Sequence, residues 1–159
     1  MDLPSTFQFQ GWHNRYSLAL SNNTAASTSN QPQAKSVVFV HGTPWSSAVF
    51  RPIIEALLAK GPYQILVYDL PGYGQSQNFS RDFSIPTSHS DFPGDTSVKF
   101  QAKALTELLK HVQLDGKEGH PAPAVIAHDI AGAIVLRAHL LHGAEFDTMM
   151  LVDTNAVLP

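Results

Sequence analysis

The sequence predicts an α/β fold: a mainly parallel sheet opened by an antiparallel pair of strands, with helices on both faces. Three observations carry this. From Ser36 onward, short apolar runs of strand length alternate with helical stripes, the pattern of strands joined by crossover helices. Before Ser36 the apolar residues alternate singly, as in a half-buried pair. The 159 residues, 43% hydrophobic and 14% charged, supply the apolar content of one soluble globular core.

The opening pair takes Phe7 and Phe9 on one strand and Tyr16, Leu18 and Leu20 on the next, parted near Gly11. Ser21 to Lys35 is small, polar and rich in turn formers, so an exposed connection is expected. Ser36 to Val40 reads as a buried strand. The stripe of Phe50, Ile53, Ile54, Leu57 and Leu58 predicts a helix stopped by Gly61-Pro62, and Gln64 to Tyr68 is the next strand. Asn78 to Gly94, with Pro86, Pro93 and several serines, predicts a long loop at the sheet edge. A helix is expected from Thr96, since Val98, Ala102, Leu105, Leu109 and Val112 step by four, three, four and three, with Gly116 as the stop. Ala124 to Ala127 is a short buried strand, His128-Asp129-Ile130 turns, Ala131 to His142 is a helix closed by Gly143, and Met149 to Val152 begins another strand.

Composition narrows the function classes. A net charge of −3 without blocks of like charge gives no footprint for nucleic acid or an anionic membrane, so a small-molecule partner is expected. No apolar run approaches the ~20 residues that span a bilayer, and the first residues lack a basic start with an apolar stretch. There is no cysteine, which removes disulfides, thiolate metal sites and a thiol nucleophile and fits a cytoplasmic setting. No metal site is expected among the eight histidines, because none forms an H-x-x-x-H or H-E-x-x-H pair, and Gly72-x-Gly74 lacks the third glycine and following helix of a dinucleotide site. No cofactor is expected, and oligomeric state is left open.

Three segments carry the chemistry. Ala127-His128-Asp129-Ile130-Ala131-Gly132 joins a strand to a helix through a turn with small flanking residues, which is what a nucleophile elbow requires: the apex side chain is held outward while strand and helix approach closely. The apex here is Asp129, and no G-x-S-x-G occurs. His41-Gly42-Thr43-Pro44-Trp45-Ser46-Ser47 follows a buried strand and precedes a helix, where backbone N–H groups can face the elbow. Asp69-Leu70-Pro71-Gly72-Tyr73-Gly74-Gln75-Ser76 is a glycine-rich turn leaving the following strand.

With these motifs, from about Val37 to Asp153, the chain resembles the α/β-hydrolase superfamily, in the branch of epoxide hydrolases and haloalkane dehalogenases, which share H-G-x-P, D-x-P-G-x-G-x-S and an aspartate elbow. The resemblance implies that Asp129 attacks an electrophilic carbon to form an alkyl-enzyme ester, which histidine-activated water then cleaves. It also implies an oxyanion hole from the backbone N–H groups of Thr43 and Ile130, Pro44 having none to offer. A carboxylate nucleophile needs no base for its first attack, because it is ionised at neutral pH.

The departures shape the expected activity. The dehalogenase pattern has tryptophan after the nucleophile and often asparagine in the first motif to hold halide; here those positions are Ile130 and Thr43, so an epoxide is favoured over an alkyl halide, with ester hydrolysis still open. The family histidine follows the eighth strand, whereas the last histidine here is His142. The expectation is therefore a fold truncated after its sixth strand: residues 1–35 the antiparallel strands and polar connection, residues 36–159 the N-terminal part of the hydrolase core, and the cap and C-terminal half absent. Whether such a chain is an enzyme or a catalytically dead remnant with a binding or regulatory role stays open.

Plainer roles stand beside these. His128 reads as structural, because adjacent elbow residues point in different directions; His41 braces its own loop; and His41, Trp45 and His128 are the residues expected beside a substrate. Asp69 fixes the Gly72-Tyr73-Gly74 turn. For Asp153 at the end of the last strand, an acid that orients a histidine and a simple strand-end cap are both open.

Overall fold

The computed structural model describes residues 1–21, 34–80 and 94–154. Their elements are β1 (Ser5–Phe9), β2 (Trp12–Leu20), β3 (Lys35–Val40), a 3-10 turn (Ser47–Phe50) leading into α1 (Arg51–Lys60), β4 (Tyr63–Tyr68), α2 (Val98–His111), β5 (Ala124–His128), α3 (Ala131–His142) and β6 (Thr148–Val152). All six strands join one sheet in the order β1-β2-β4-β3-β5-β6. β1 with β2 and β2 with β4 are antiparallel, and the remaining pairs are parallel.

That order fixes where a site can form. From β3 the chain goes to β4 on one side, while β5 lies on the other, so loops leaving β3 and β5 emerge side by side at the carboxyl ends of neighbouring strands. The register pairs Val40 with Ala127, which brings the residues just beyond, Gly42 and Asp129, to the same level.

Strand alternation then divides the core into two layers. Val38, Val40, Leu66, Tyr68, Val125 and Ala127 face α2 and α3, meeting Leu105, Leu109, Ile134, Val135 and Ala138. Val37, Phe39, Ile65 and Val67 face the other way and pack on Phe50 and Ile54 of the α1 segment. No helix among the described residues is long and apolar enough to cross a membrane.

The element expectations need three adjustments, each with a local cause. Ile53 is 50% exposed, because the face that meets the sheet runs through Phe50 and Ile54 and position 53 lies well around the helix from it. The second amphipathic helix begins at Val98 rather than Thr96: Ser97 is its N-cap and accepts a hydrogen bond on Oγ from the Phe100 N–H at 3.2 Å. The same helix stops well before Gly116. Gln113 takes φ 59, and Leu114 N–H reaches back to the Leu109 carbonyl at 2.9 Å, so the reversal is built on a non-glycine residue in the left-handed region. The expected polar connection and sheet-edge loop fall largely on residues 22–33 and 81–93, outside the described residues.

Candidate active site

Asp129 follows the last residue of β5 and adopts φ 58, a left-handed conformation that costs a non-glycine side chain about 1–2 kcal/mol. The turn is held in place by its neighbours. Asp129 N–H donates to the Val152 carbonyl at 3.1 Å, tying the elbow to the end of β6, and Gly132 N–H donates to the Asp129 carbonyl at 3.1 Å. Ile130, the N-cap residue of α3, follows at once, so the carboxylate stands at the positive end of that helix.

The loop leaving β3 meets this carboxylate directly. Thr43 N–H donates to Asp129 Oδ2 at 3.1 Å. The approach is close enough to demand a glycine: a Cβ on Gly42 would stand 2.5 Å from Asp129 Cβ and 2.7 Å from Oδ2. The Thr43-Pro44 peptide is cis. On the other side, a Cβ on Gly132 would stand 2.5 Å from Thr154 Cβ, so the small flank of the elbow lets the segment after β6 close against α3.

Beneath the β3 loop lies a buried polar brace. His41 is fully buried; its Nδ1 is 2.8 Å from the Gly42 carbonyl, and its Nε2 accepts from Leu70 N–H at 2.9 Å. A carbonyl can only accept and an amide N–H can only donate, so these partners require the neutral Nδ1–H tautomer. Burial, the largest influence, holds the imidazole below its usual titration range, against the pull of the Gly42 carbonyl and of Asp69, whose Oδ1 is 3.8 Å from Nε2. Asp69 accepts from Ser47 N–H and from Gln75 N–H, both at 2.7 Å. It therefore clamps the β3 loop to the β4 loop as well as closing its own turn. Gly74 passes so near Asp69 Oδ2 that no side chain fits there. Ser76, also fully buried, completes the clasp by donating to the Asp69 carbonyl and accepting from Arg15 N–H, both at 2.8 Å.

The sequence-named residues are thus distributed unequally. Asp129, Thr43 and Ile130 come together. His41 lies under the loop with both ring nitrogens engaged by backbone, so the expectation that it lies beside a substrate is corrected to the brace role, because burial leaves it no free atom to present. His128 ends β5 with Ala124 and Ile126 on the face turned toward α1, opposite Val125 and Ala127. Trp45 is 55% exposed and lines an open groove of about 610 Å³ with Pro44, Ser46, Val49 and Gln77. Asp153 is exposed at the end of β6 with φ 48, next to Val152, the residue that holds the Asp129 amide. Among the described residues no group of three or more histidine or carboxylate side chains converges as a metal would require.

Two further positions matter in the site, Gly42 and Ser47. Gly42 is the clearance for the carboxylate, and its signal is the glycine two residues past the end of β3, within the first motif. Ser47 lends its amide to Asp69, and a backbone donor leaves no signal in side-chain pattern.

A strand-turn-helix elbow facing the amide of a neighbouring loop at the carboxyl edge of a parallel sheet is the arrangement of the α/β-hydrolase scaffold. The comparisons agree: residues 37–158 match the model of the alpha/beta hydrolase family, and the chain belongs to that family. An alpha/beta hydrolase fold protein from Burkholderia ambifaria is 31% identical over 100% of this chain and 47% of its own, with TM-score 0.69. A lipase assignment from Acinetobacter baumannii (19% identity, TM-score 0.69) covers 97% of this chain and 42% of its own. A protein from Pseudomonas aeruginosa provisionally designated an epoxide hydrolase (18% identity, TM-score 0.62) covers 92% and 39%. These last two share the fold. The chain therefore spans less than half the length of the solved structures it resembles. No curated protein matches it.

Proposed function

We propose that these residues form the nucleophile half of a cytoplasmic hydrolase acting on a small apolar electrophile, an epoxide before an alkyl halide or an ester, through an aspartate nucleophile. The observation that carries this reading is the carboxylate of Asp129 at the apex of a left-handed elbow, one oxygen held at 3.1 Å by the Thr43 amide. That bond engages Oδ2 and fixes the rotation of the carboxylate, leaving Oδ1 as the attacking atom.

In the first step Oδ1 attacks a ring carbon, the C–O bond of the epoxide breaks, and the alkoxide takes a proton from water or an acid; an ester on Asp129 results. Oδ2, already against the Thr43 amide, is the carbonyl oxygen of that ester. In the second step water adds to the ester carbon, and Oδ2 becomes the oxyanion that the Thr43 and Ile130 amides stabilise, before the diol leaves and the carboxylate returns. The same amide thus serves both steps without moving. Water must lose a proton in the second step, and among the described residues no histidine hydrogen-bonds the Asp129 carboxylate. The resemblance implies a histidine base after a later strand, and Asp153, exposed at the end of β6, is our candidate for the acid that would orient it. Epoxide is favoured because Thr43 and Ile130 occupy the positions whose side chains cradle halide in the dehalogenase pattern.

The competing reading is a chain that keeps the elbow without turnover and retains at most a binding role. Incubating the protein with panels of small epoxides, alkyl bromides and esters, and following both product release and covalent mass, separates the readings. Adducts with the epoxides in preference to the other two support the proposal; no adduct and no product with any panel supports the competitor.

A further inference from the structure

The contact that carries the proposed chemistry depends on the orientation of one peptide unit, the one joining Gly42 to Thr43. A planar trans peptide points its C=O and its N–H in opposite directions, so fixing one fixes the other. The Gly42 carbonyl is held from below by His41 Nδ1 at 2.8 Å, while on the far side of the same peptide the Thr43 N–H meets Asp129 Oδ2 at 3.1 Å. Gly42 has no side chain to resist a flip of this unit, and the closeness of Asp129 forbids one. Something else must hold the peptide.

We infer that His41 is a positioning residue: its Nδ1–H, donated to the Gly42 carbonyl, selects the peptide orientation that aims the Thr43 amide at Asp129. With the proton on Nε2 instead, the imidazole would present a lone pair to the Gly42 oxygen, and the repulsion would favour turning the carbonyl away, taking the amide off the carboxylate. The proton is kept on Nδ1 by the Leu70 amide, which donates to Nε2 at 2.9 Å and belongs to the turn after β4. Leu70 adjoins Asp69, whose carboxylate clamps that turn to Ser47 of the β3 loop. A relay thus runs from the β4 turn through the His41 tautomer and the Gly42-Thr43 peptide to the nucleophile, every member of it backbone except the imidazole and the carboxylate. The consequence for turnover rests on Asp129 being a nucleophile; the relay itself does not.

Its test reads the amide directly and needs no reaction. In the full chain, the ¹⁵N-¹H resonance of Thr43 should shift as the Asp129 carboxylate titrates, and that pH dependence should vanish in Asp129→Asn. His41→Asn places an amide N–H where Nδ1 stood and loses the acceptor for Leu70; His41→Gln does the reverse, reaching the Nε2 position. The relay predicts that the asparagine variant keeps the Thr43 response and the glutamine variant loses it. A histidine that merely fills space predicts no such asymmetry, so retention or loss in both variants alike overturns the inference. If either variant fails to fold, the wild-type imidazole nitrogens decide: an Nδ1–H tautomer at neutral pH supports the relay, and an Nε2–H tautomer overturns it. An intact relay in a protein that forms no adduct with any epoxide would refute the hydrolase reading alone.

Discussion

Replacing Gly42 with alanine tests the closest approach in the site. A methyl there would stand 2.5 Å from Asp129 Cβ where ordinary contact begins at 3.4 Å, so roughly 0.9 Å of overlap must be relieved. Neither partner has slack. The elbow is pinned by the Asp129–Val152 and Gly132–Asp129 backbone bonds, and the β3 loop is pinned through His41 and Asp69. Overpacking of this kind costs about 1–3 kcal/mol. Separating Thr43 from the carboxylate adds about 0.5–1.5 kcal/mol for the hydrogen bond. The expected loss is therefore on the order of 1.5–4.5 kcal/mol. Urea unfolding with unchanged m-value measures it, with Gly61→Ala as the control: Gly61 has φ 179 and its nearest neighbour would lie at 3.6 Å, so alanine there should leave stability within about 0.5 kcal/mol. If Gly42→Ala unfolds at the same urea concentration as wild type, the close approach of loop and elbow is wrong.

Gln113 is exposed at φ 59, so Gln113→Gly should stabilise the chain by about 0.5–1 kcal/mol, read as a higher urea midpoint; an unchanged or lower midpoint would show that the left-handed C-terminus of α2 carries no strain. His41 titrates below its ordinary 6.5 when folded, so the unfolded chain takes up a proton first as pH falls. Stability from this group is level above that pH and should drop below it by up to about 1.4 kcal/mol per pH unit, until the folded value is reached. His142 is lowered too, by its own desolvation and then by Lys103, Arg137 and Lys99, so the diagnostic is the slope that His41→Asn removes in pH-resolved urea melts. Trp45→Ala should leave stability nearly unchanged, since the ring is 55% exposed, yet slow covalent modification by aromatic epoxides if the groove it lines seats the substrate. Equal modification rates for wild type and variant would remove Trp45 from the substrate path.

How much of this was legible in the sequence depends on which signal each feature writes. Strands β3 to β6 and helix α3 were readable because each is an apolar run or stripe bounded by glycine, proline or a motif. The elbow was readable because its chemistry demands small residues around one apex, and Ala127, Ala131 and Gly132 supply them around Asp129. Ile53 was misplaced because an apolar residue beside a stripe looks the same as one within it until the helix is docked. The end of α2 was misplaced because Gln113 takes a conformation that sequence reading assigns to glycine. His41 was legible as a brace but not as a relay. Its partners are the Gly42 carbonyl and the Leu70 amide, and backbone groups are present at every residue, so only the three-dimensional register of β3 against β4 shows which of them it meets.

Whether Asp129 is a nucleophile is decided by intact-mass analysis with peptide mapping after exposure to a small reactive epoxide at neutral pH, in wild type and Asp129→Asn. The substitution keeps the size of the side chain, and asparagine tolerates the left-handed elbow, so the fold should persist in both. A nucleophilic Asp129 gives one adduct, mapped to that residue and released by hydroxylamine as an ester, and no adduct at that position in the asparagine variant. Equal labelling of the two proteins, or a labelled residue elsewhere with Asp129 untouched, would contradict it.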